Sequence, residues 1–169
     1  MFEKRSPLHR LLSNLPQTGK LEWIGIRPER RGPLDRVKSC NITKGGGLEG
    51  DHFSGSSQSK RQVTLIQSEH LPVIASCLGR SSIEPELLRR NLVVSGVNLL
   101  AFKNRQFRVG GVVLEMTGLC HPCSRMEDIF GNGGYNAVRG HGGITARVIE
   151  EGNIHIGDAV ALHEENTAF

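Results

Sequence analysis

Residues 107–118, FRVGGVVLEMTG, carry β-branched and apolar side chains in short runs cut by glycine. That pattern reads as short strands broken by tight turns. The same reading extends outward in both directions. Toward the C-terminus, TARVIE (145–150) and HIGDAVALH (155–163) repeat it, and toward the N-terminus NLVVSGVNL (91–99) does the same. RQVTLI (61–66) is a compact β-branched run. LEWIGIRPER (21–30) reads as one strand, and a Gly32-Pro33 turn leads to LDRVKSCNIT (34–43), a further strand. Two helices are expected in mid-chain. In SEHLPVIASCLG (68–79), Ser68 serves as cap, Glu69 sits in the first turn and Gly79 closes the helix. Pro85 at a first-turn position opens a short one over 85–90.

Neither a regular βαβ alternation nor a repeat of fixed period is visible. The fold class is therefore mainly β (α+β), a barrel-like or sandwich-like domain with short helical insertions. Residues 1–19 read as an N-terminal arm with one short helix around 7–15. No linker divides the remainder, so residues 20–165 form a single domain. The chain has 169 residues, enough to bury a core without staples. The formal charge of +4 favours anionic ligands in general, and no aromatic-studded basic run points to nucleic acid. No apolar run is long enough to span a membrane, and no secretory signal is recognisable. Four cysteines (Cys40, Cys77, Cys120, Cys123) do not make a disulfide scaffold in a chain this long. The expectation is a cytoplasmic protein with no nucleic-acid or membrane partner.

Chemistry concentrates in TGLCHPCSRME (117–127). A structural zinc site needs about four ligands, and no second Cys/His pair follows at finger-like spacing. A redox Cys-x-x-Cys belongs at a helix N-terminus in a βαβ unit, whereas this pair follows a run of strands. Two further readings stand level: both thiols pack, or one is a thiolate on a turn beside Arg125 that binds a soft metal or carries sulfur. The glycine-rich stretch KGGGLEGDH (44–52) could wrap an anion with its amides and Lys44, yet it lacks the order of a P-loop. Arg89-Arg90-Asn91 ends the second helix as a candidate oxyanion clamp, with a solvated basic helix end as the alternative. Arg61 and Arg139 are weaker candidates of the same kind. Asp51 and His52 are adjacent, and neighbours on an extended chain point opposite ways.

Taken in order, KGGGLEGDHFSG, RQVTLI, LLRRNLVVSGVNL, FRVGGVVLEMTGLCHPCSRME and GNIHIGDAV resemble the MOSC family, the domain at the C-terminus of molybdenum-cofactor sulfurases. The chain looks like a stand-alone small MOSC protein, without the aminotransferase-like, pyridoxal-phosphate-associated sulfurase part. The resemblance implies a β-barrel that binds the molybdenum cofactor (molybdopterin). It implies that Cys123 is the catalytic cysteine, ligating molybdenum or carrying a persulfide. It also suggests phosphate or pterin contacts by Arg89 and Arg90 beside Asn91, with Lys44, Asp51, His52 and Arg61 lining the pocket. The implied activities are reduction of N-hydroxylated compounds and sulfur delivery. An electron-donor or sulfur-donor protein would then be the partner, alongside the cofactor and a small-molecule substrate. A non-catalytic cofactor carrier and a zinc-stabilised β domain are the alternatives.

Overall fold

The computed structural model describes residues 6–163. Residues 1–5 of the expected arm and 164–165 of the expected domain lie outside the described residues. A helix does occur in the arm: α1, Pro7–Ser13, is capped by the Ser6 hydroxyl, which accepts from the His9 amide at 3.1 Å. Eleven strands follow: β1 Gly19–Ile26, β2 Asp35–Val37, β3 Ser39–Thr43, β4 Gly47–Leu48, β5 Val63–Gln67, β6 Leu92–Ser95, β7 Gln106–Val109, β8 Val112–Leu119, β9 Ile144–Glu150, β10 Gly152–His155 and β11 Ala159–Leu162. Seven of them close a barrel in the order β1-β11-β7-β8-β9-β5-β6 and back to β1, with β2 added outside on β1. A closed barrel leaves no free edge along that ring. Strands β10, β3 and β4 form a small second sheet.

Alternation along the strands sets the layers. Leu65, Leu92 and Val94 belong to one buried cluster with Leu21, Phe107, Leu114, Ile144 and Val160 from the other barrel strands. Their neighbours Ile66 and Val93 face a second cluster with Ile74, Leu88, Met126, Phe130 and Val138. The second cluster lies under the helices α2 (His70–Cys77), α3 (Pro85–Leu88), α4 (Ser124–Phe130) and α5 (Gly134–Val138). All five residues of β5 are buried because the barrel interior covers one face and the helices cover the other.

Several local expectations change. LDRVKSCNIT is two strands, since β2 pairs with β1 while β3 pairs with β10 and β4. One crossover of the βαβ kind exists: β5 and β6 are parallel, joined through α2 and α3. Ser68 does not cap α2; the helix starts at His70 behind Glu69, whose carboxylate accepts the Gly96 amide at 2.6 Å. The C-terminus of α2 is as expected, with Gly79 at φ +67° and the Arg80 amide donating back to Ala75 at 2.9 Å. LEWIGIRPER is strand only as far as Ile26; Pro28 has no amide to donate and the ladder ends there. None of the helices is long and apolar enough to cross a membrane among the described residues.

A cleft of arginines around one exposed thiol

The β8–α4 turn separates the two cysteines. Cys120 is buried, 1% exposed, and its amide donates to Gly143 at 2.8 Å. Cys123 is exposed, stands at the cap of α4, and makes no side-chain hydrogen bond there. Both are free thiols. Among the described residues, no group of three or more His, Cys, Asp or Glu side chains stands in a metal-holding arrangement, so a zinc centre has no ligand set there.

Cys123 opens into a cleft of about 280 Å³ whose walls carry seven arginines, Arg27, Arg30, Arg31, Arg61, Arg89, Arg90 and Arg125, and among the described residues no carboxylate. An adjoining cavity of about 160 Å³ shares Arg27, His52, Arg61 and Arg89, and adds Asp51, Gln62, Thr64 and Asn91. Three chain segments supply the arginines of the cleft wall on the barrel side. They are the loop after β1, the residues leading into β5, and the step from α3 into β6; Arg125 comes from α4.

Each wall is fixed by a specific bond. Asp51 accepts the Arg27 amide at 2.7 Å and is nearly buried, so the 44–60 stretch is pinned to the end of β1. The Arg27 guanidinium donates to His52 Nδ1 at 3.2 Å. Burial lowers the Arg27 guanidinium below its ordinary value, Asp51 opposes that, and repulsion from Arg125 and Arg61 adds to it. Burial does the same to Arg89, followed by repulsion from Arg27 and Arg125. Anions have the converse preference in such a place.

Arg90 and Asn91 are occupied by the protein itself. Arg90 is 4% exposed and donates to the carbonyls of Gly142 at 2.7 Å, Leu88 at 2.7 Å and Cys120 at 3.3 Å. The Asn91 amide side chain accepts from the Thr64 amide and hydroxyl, both at 3.1 Å, and donates to the Gly25 carbonyl at 3.3 Å. It ties β1, β5 and β6 together beneath the cleft.

Of the residues singled out from sequence, Cys123, Arg89, Arg90, Arg61 and His52 meet in the cleft, and Asp51 and Asn91 line the adjoining cavity. Lys44 is not in either lining; it is exposed on the β3–β4 turn, its amide donating to Glu151 at 2.7 Å. Arg139, at the end of α5, also stays out of both. Arg27, Arg30 and Arg31 went unread in the sequence, although three arginines within five positions around a proline are a visible signal of a basic turn. Gln62 was unread as well. It is 2% exposed; its Nε2 donates to the carbonyls of Ser56, Ser57 and Ser59, and its Oε1 accepts the Gly45 amide at 3.1 Å. The glycine- and serine-rich stretch is thereby anchored at its waist.

The family model for the MOSC domain matches residues 48–161. No curated protein matches the sequence. Among solved structures, the YuaD protein from Bacillus subtilis is similar at a TM-score of 0.76 and 21% identity, covering 90% of this chain and 100% of that one. YiiM from Geobacillus stearothermophilus is similar at 0.70 and 17% identity, with 89% and 77% covered. YiiM from Escherichia coli is similar at 0.66 and 18% identity, with 86% and 70% covered. At these identities the likeness is one of fold.

Proposed function

Since the chain belongs to the MOSC domain family, which is generally associated with molybdenum-cofactor binding, we propose that this cleft binds the molybdenum cofactor. Cys123 Sγ would face the metal, with Arg61 and Arg89 toward the pterin phosphate. One observation carries the reading: an exposed thiol shares a single arginine-lined cleft with Arg61 and Arg89, and among the described residues no carboxylate lines it. A thiolate is a fitting donor for a soft metal centre, and guanidinium forks fit phosphate oxygens. The residues present therefore suit the group. When bound, the cofactor supplies metal-centred redox chemistry, and the chain supplies binding and orientation.

The activity proposed is reduction of N-hydroxylated compounds such as modified bases, with electrons delivered by a partner protein. Sulfur carriage as a Cys123 persulfide is the second reading, favoured by the exposure of that thiol to an incoming donor.

The test is metal and pterin analysis of protein made in a host that produces the cofactor, wild type beside Cys123→Ser. Molybdenum with a pterin in the wild type, reduced in the variant, is expected. Stripped of cofactor, the two proteins should melt together, because an exposed side chain that caps nothing contributes within about 0.5 kcal/mol. Near-stoichiometric zinc without molybdenum would overturn the reading. Donor-dependent turnover of an N-hydroxylated base selects the reductase. Cyanide-labile sulfur on the wild type alone, without turnover, selects the carrier.

A further inference from the structure

The cleft holds more positive charge than one cofactor phosphate calls for. Arg90 is spent on carbonyls, and Arg27 lies against Asp51 and His52. Of the rest, Arg61 and Arg89 line both cavities, whereas Arg30, Arg31 and Arg125 line only the one that contains Cys123. One phosphate dianion is matched by about two guanidinium forks, which Arg61 and Arg89 provide. The outer three have no such employment. The pairs between Lys or Arg and a carboxylate among the described residues are Lys20–Glu22, Arg108–Glu150 and Arg147–Glu115, and none involves an outer arginine.

The backbone gives a second, independent sign. Only three non-glycine residues among those described are left-handed: Arg31 at φ +65°, Arg89 at φ +61° and Asn104 at φ +59°. Two of the three are cleft arginines. Glycine adopts this conformation without the Cβ penalty, and it is the usual residue where a helix ends as α3 does at Arg89. What an arginine gives there that glycine cannot is its side chain. The two positions are also joined: Arg89 Nη1 donates to the Gly32 carbonyl at 3.3 Å, and the Gly32 amide closes the turn on Glu29 at 3.0 Å. That turn presents Arg30 and Arg31 to the cleft. Strained residues held by surrounding bonds are typical of ligand clamps.

Resting on the cofactor reading, we propose that Arg30, Arg31 and Arg125 form a second anion site beside Cys123, and that the substrate is a phosphorylated compound. For an N-hydroxylated base, this means the nucleotide rather than the free base or nucleoside. The ring would then sit at the thiol end of the cleft, with the phosphate on the outer arginines.

The test is titration calorimetry with N-hydroxyadenosine and with its phosphate monoester, on cofactor-loaded protein and on the apo chain, without an electron donor. The monoester should bind at least about tenfold more tightly than the nucleoside at low salt, with the ratio shrinking as salt rises. Arg31→Gly and Arg30→Gln should each cut that ratio while leaving the amount of bound cofactor as in the wild type. Arg31→Gly should melt no lower than the wild type, since it relieves the left-handed arginine. Equal binding of nucleoside and monoester overturns the inference. So does loss of cofactor from the Arg30 or Arg31 variants, or a nucleotide-extended cofactor released from the protein, because the outer arginines would then serve the cofactor itself. The apo titration keeps the two ideas apart: a monoester preference there that Arg30→Gln and Arg31→Gly abolish, with no molybdenum ever recovered, fails the cofactor reading and leaves the anion site standing, whereas a preference those variants do not touch overturns the outer site.

Discussion

Arg90→Met tests whether the arginine beneath the cleft is a lock or a ligand contact. Methionine keeps most of the apolar stem and removes the guanidinium, stranding the carbonyls of Leu88, Gly142 and Cys120. A stranded buried acceptor costs about 1–3 kcal/mol. Two bonds of 2.7 Å count nearly in full and the one of 3.3 Å counts for less. The sum is about 3–6 kcal/mol. Against it stands the burial cost of the guanidinium, which lowers its ordinary value in the folded chain and which the variant no longer carries. The net loss should be about 2–4 kcal/mol, in the range seen when one side of a buried polar network is removed. For a domain of this size that is a fall in Tm of about 5–15 °C. Thermal melting and urea titration read it directly, with an unchanged m-value marking an unchanged unfolded state. Arg90→Lys should fall between, because one ammonium cannot reach three carbonyls spread over Leu88, Cys120 and Gly142. A melting temperature within about 2 °C of wild type, together with lost cofactor, would refute the reasoning and make Arg90 a ligand contact.

Two further outcomes follow from the geometry. Gly143 has φ +88°, and a Cβ there would run into the Leu65 carbonyl oxygen; Gly143→Ala should cost upwards of about 3 kcal/mol in urea unfolding. Gly133 has φ +87° in the left-handed region with nothing near its would-be Cβ, so Gly133→Ala should cost only about 1–2 kcal/mol, and equal losses would remove close approach as the cause. His70 is held below its ordinary value of 6.5 by burial and then by His141, whose ring centroid is 5.3 Å away, with Glu69 opposing. The folded chain thus binds fewer protons at His70 than the unfolded chain, so stability is full above 6.5 and declines as pH falls through the folded value. The urea midpoint of the wild type should fall more steeply below pH 6.5 than that of His70→Gln, and parallel curves would sink the assignment.

A β-rich domain was legible in the residues because short β-branched runs are cut by glycines that mark the turns, whereas the choice of barrel over sandwich came from the family resemblance. Where an expectation failed, the deciding partner lay far away in the chain. Nothing local distinguishes the 34–43 run as one strand from two strands serving different sheets; β2 and β3 part only because β1 and β10 are already in place. α5 escaped notice because five residues opening on Gly133 and Gly134 carry no helical period, and the Glu127 carboxylate organises that turn by accepting the Gly133 and Tyr135 amides at 2.6 and 2.9 Å. The cleft arginines were partly visible as residue types. Their convergence was not, since Arg30, Arg61, Arg89 and Arg125 come from four separate segments. Extending the β1 strand to Arg30 hid the basic turn that Pro28 creates.

The Cys-x-x-Cys motif illustrates how far spacing alone misleads. As a chelate or a dithiol, both sulfurs must share one environment. In the fold, the first cysteine ends a barrel strand and the second begins a helix, so the three-residue step carries the chain from the core to the surface. Cys120 is pinned at the inner end by its amide on Gly143 and its carbonyl on Arg90. Gly142 and Gly143 allow this, because a Cβ on Gly142 would meet the Cys120 carbonyl and one on Gly143 the Leu65 carbonyl. The buried cysteine thus anchors the turn, and the exposed cysteine gains its position from that anchor. Arg90 belongs to the same device: it fixes the 120–123 turn and the 140–143 loop from within, while Arg89, one residue earlier, faces the cleft. Adjacent arginines divide the work between fold and ligand because the left-handed turn at Arg89 sends successive side chains to different sides.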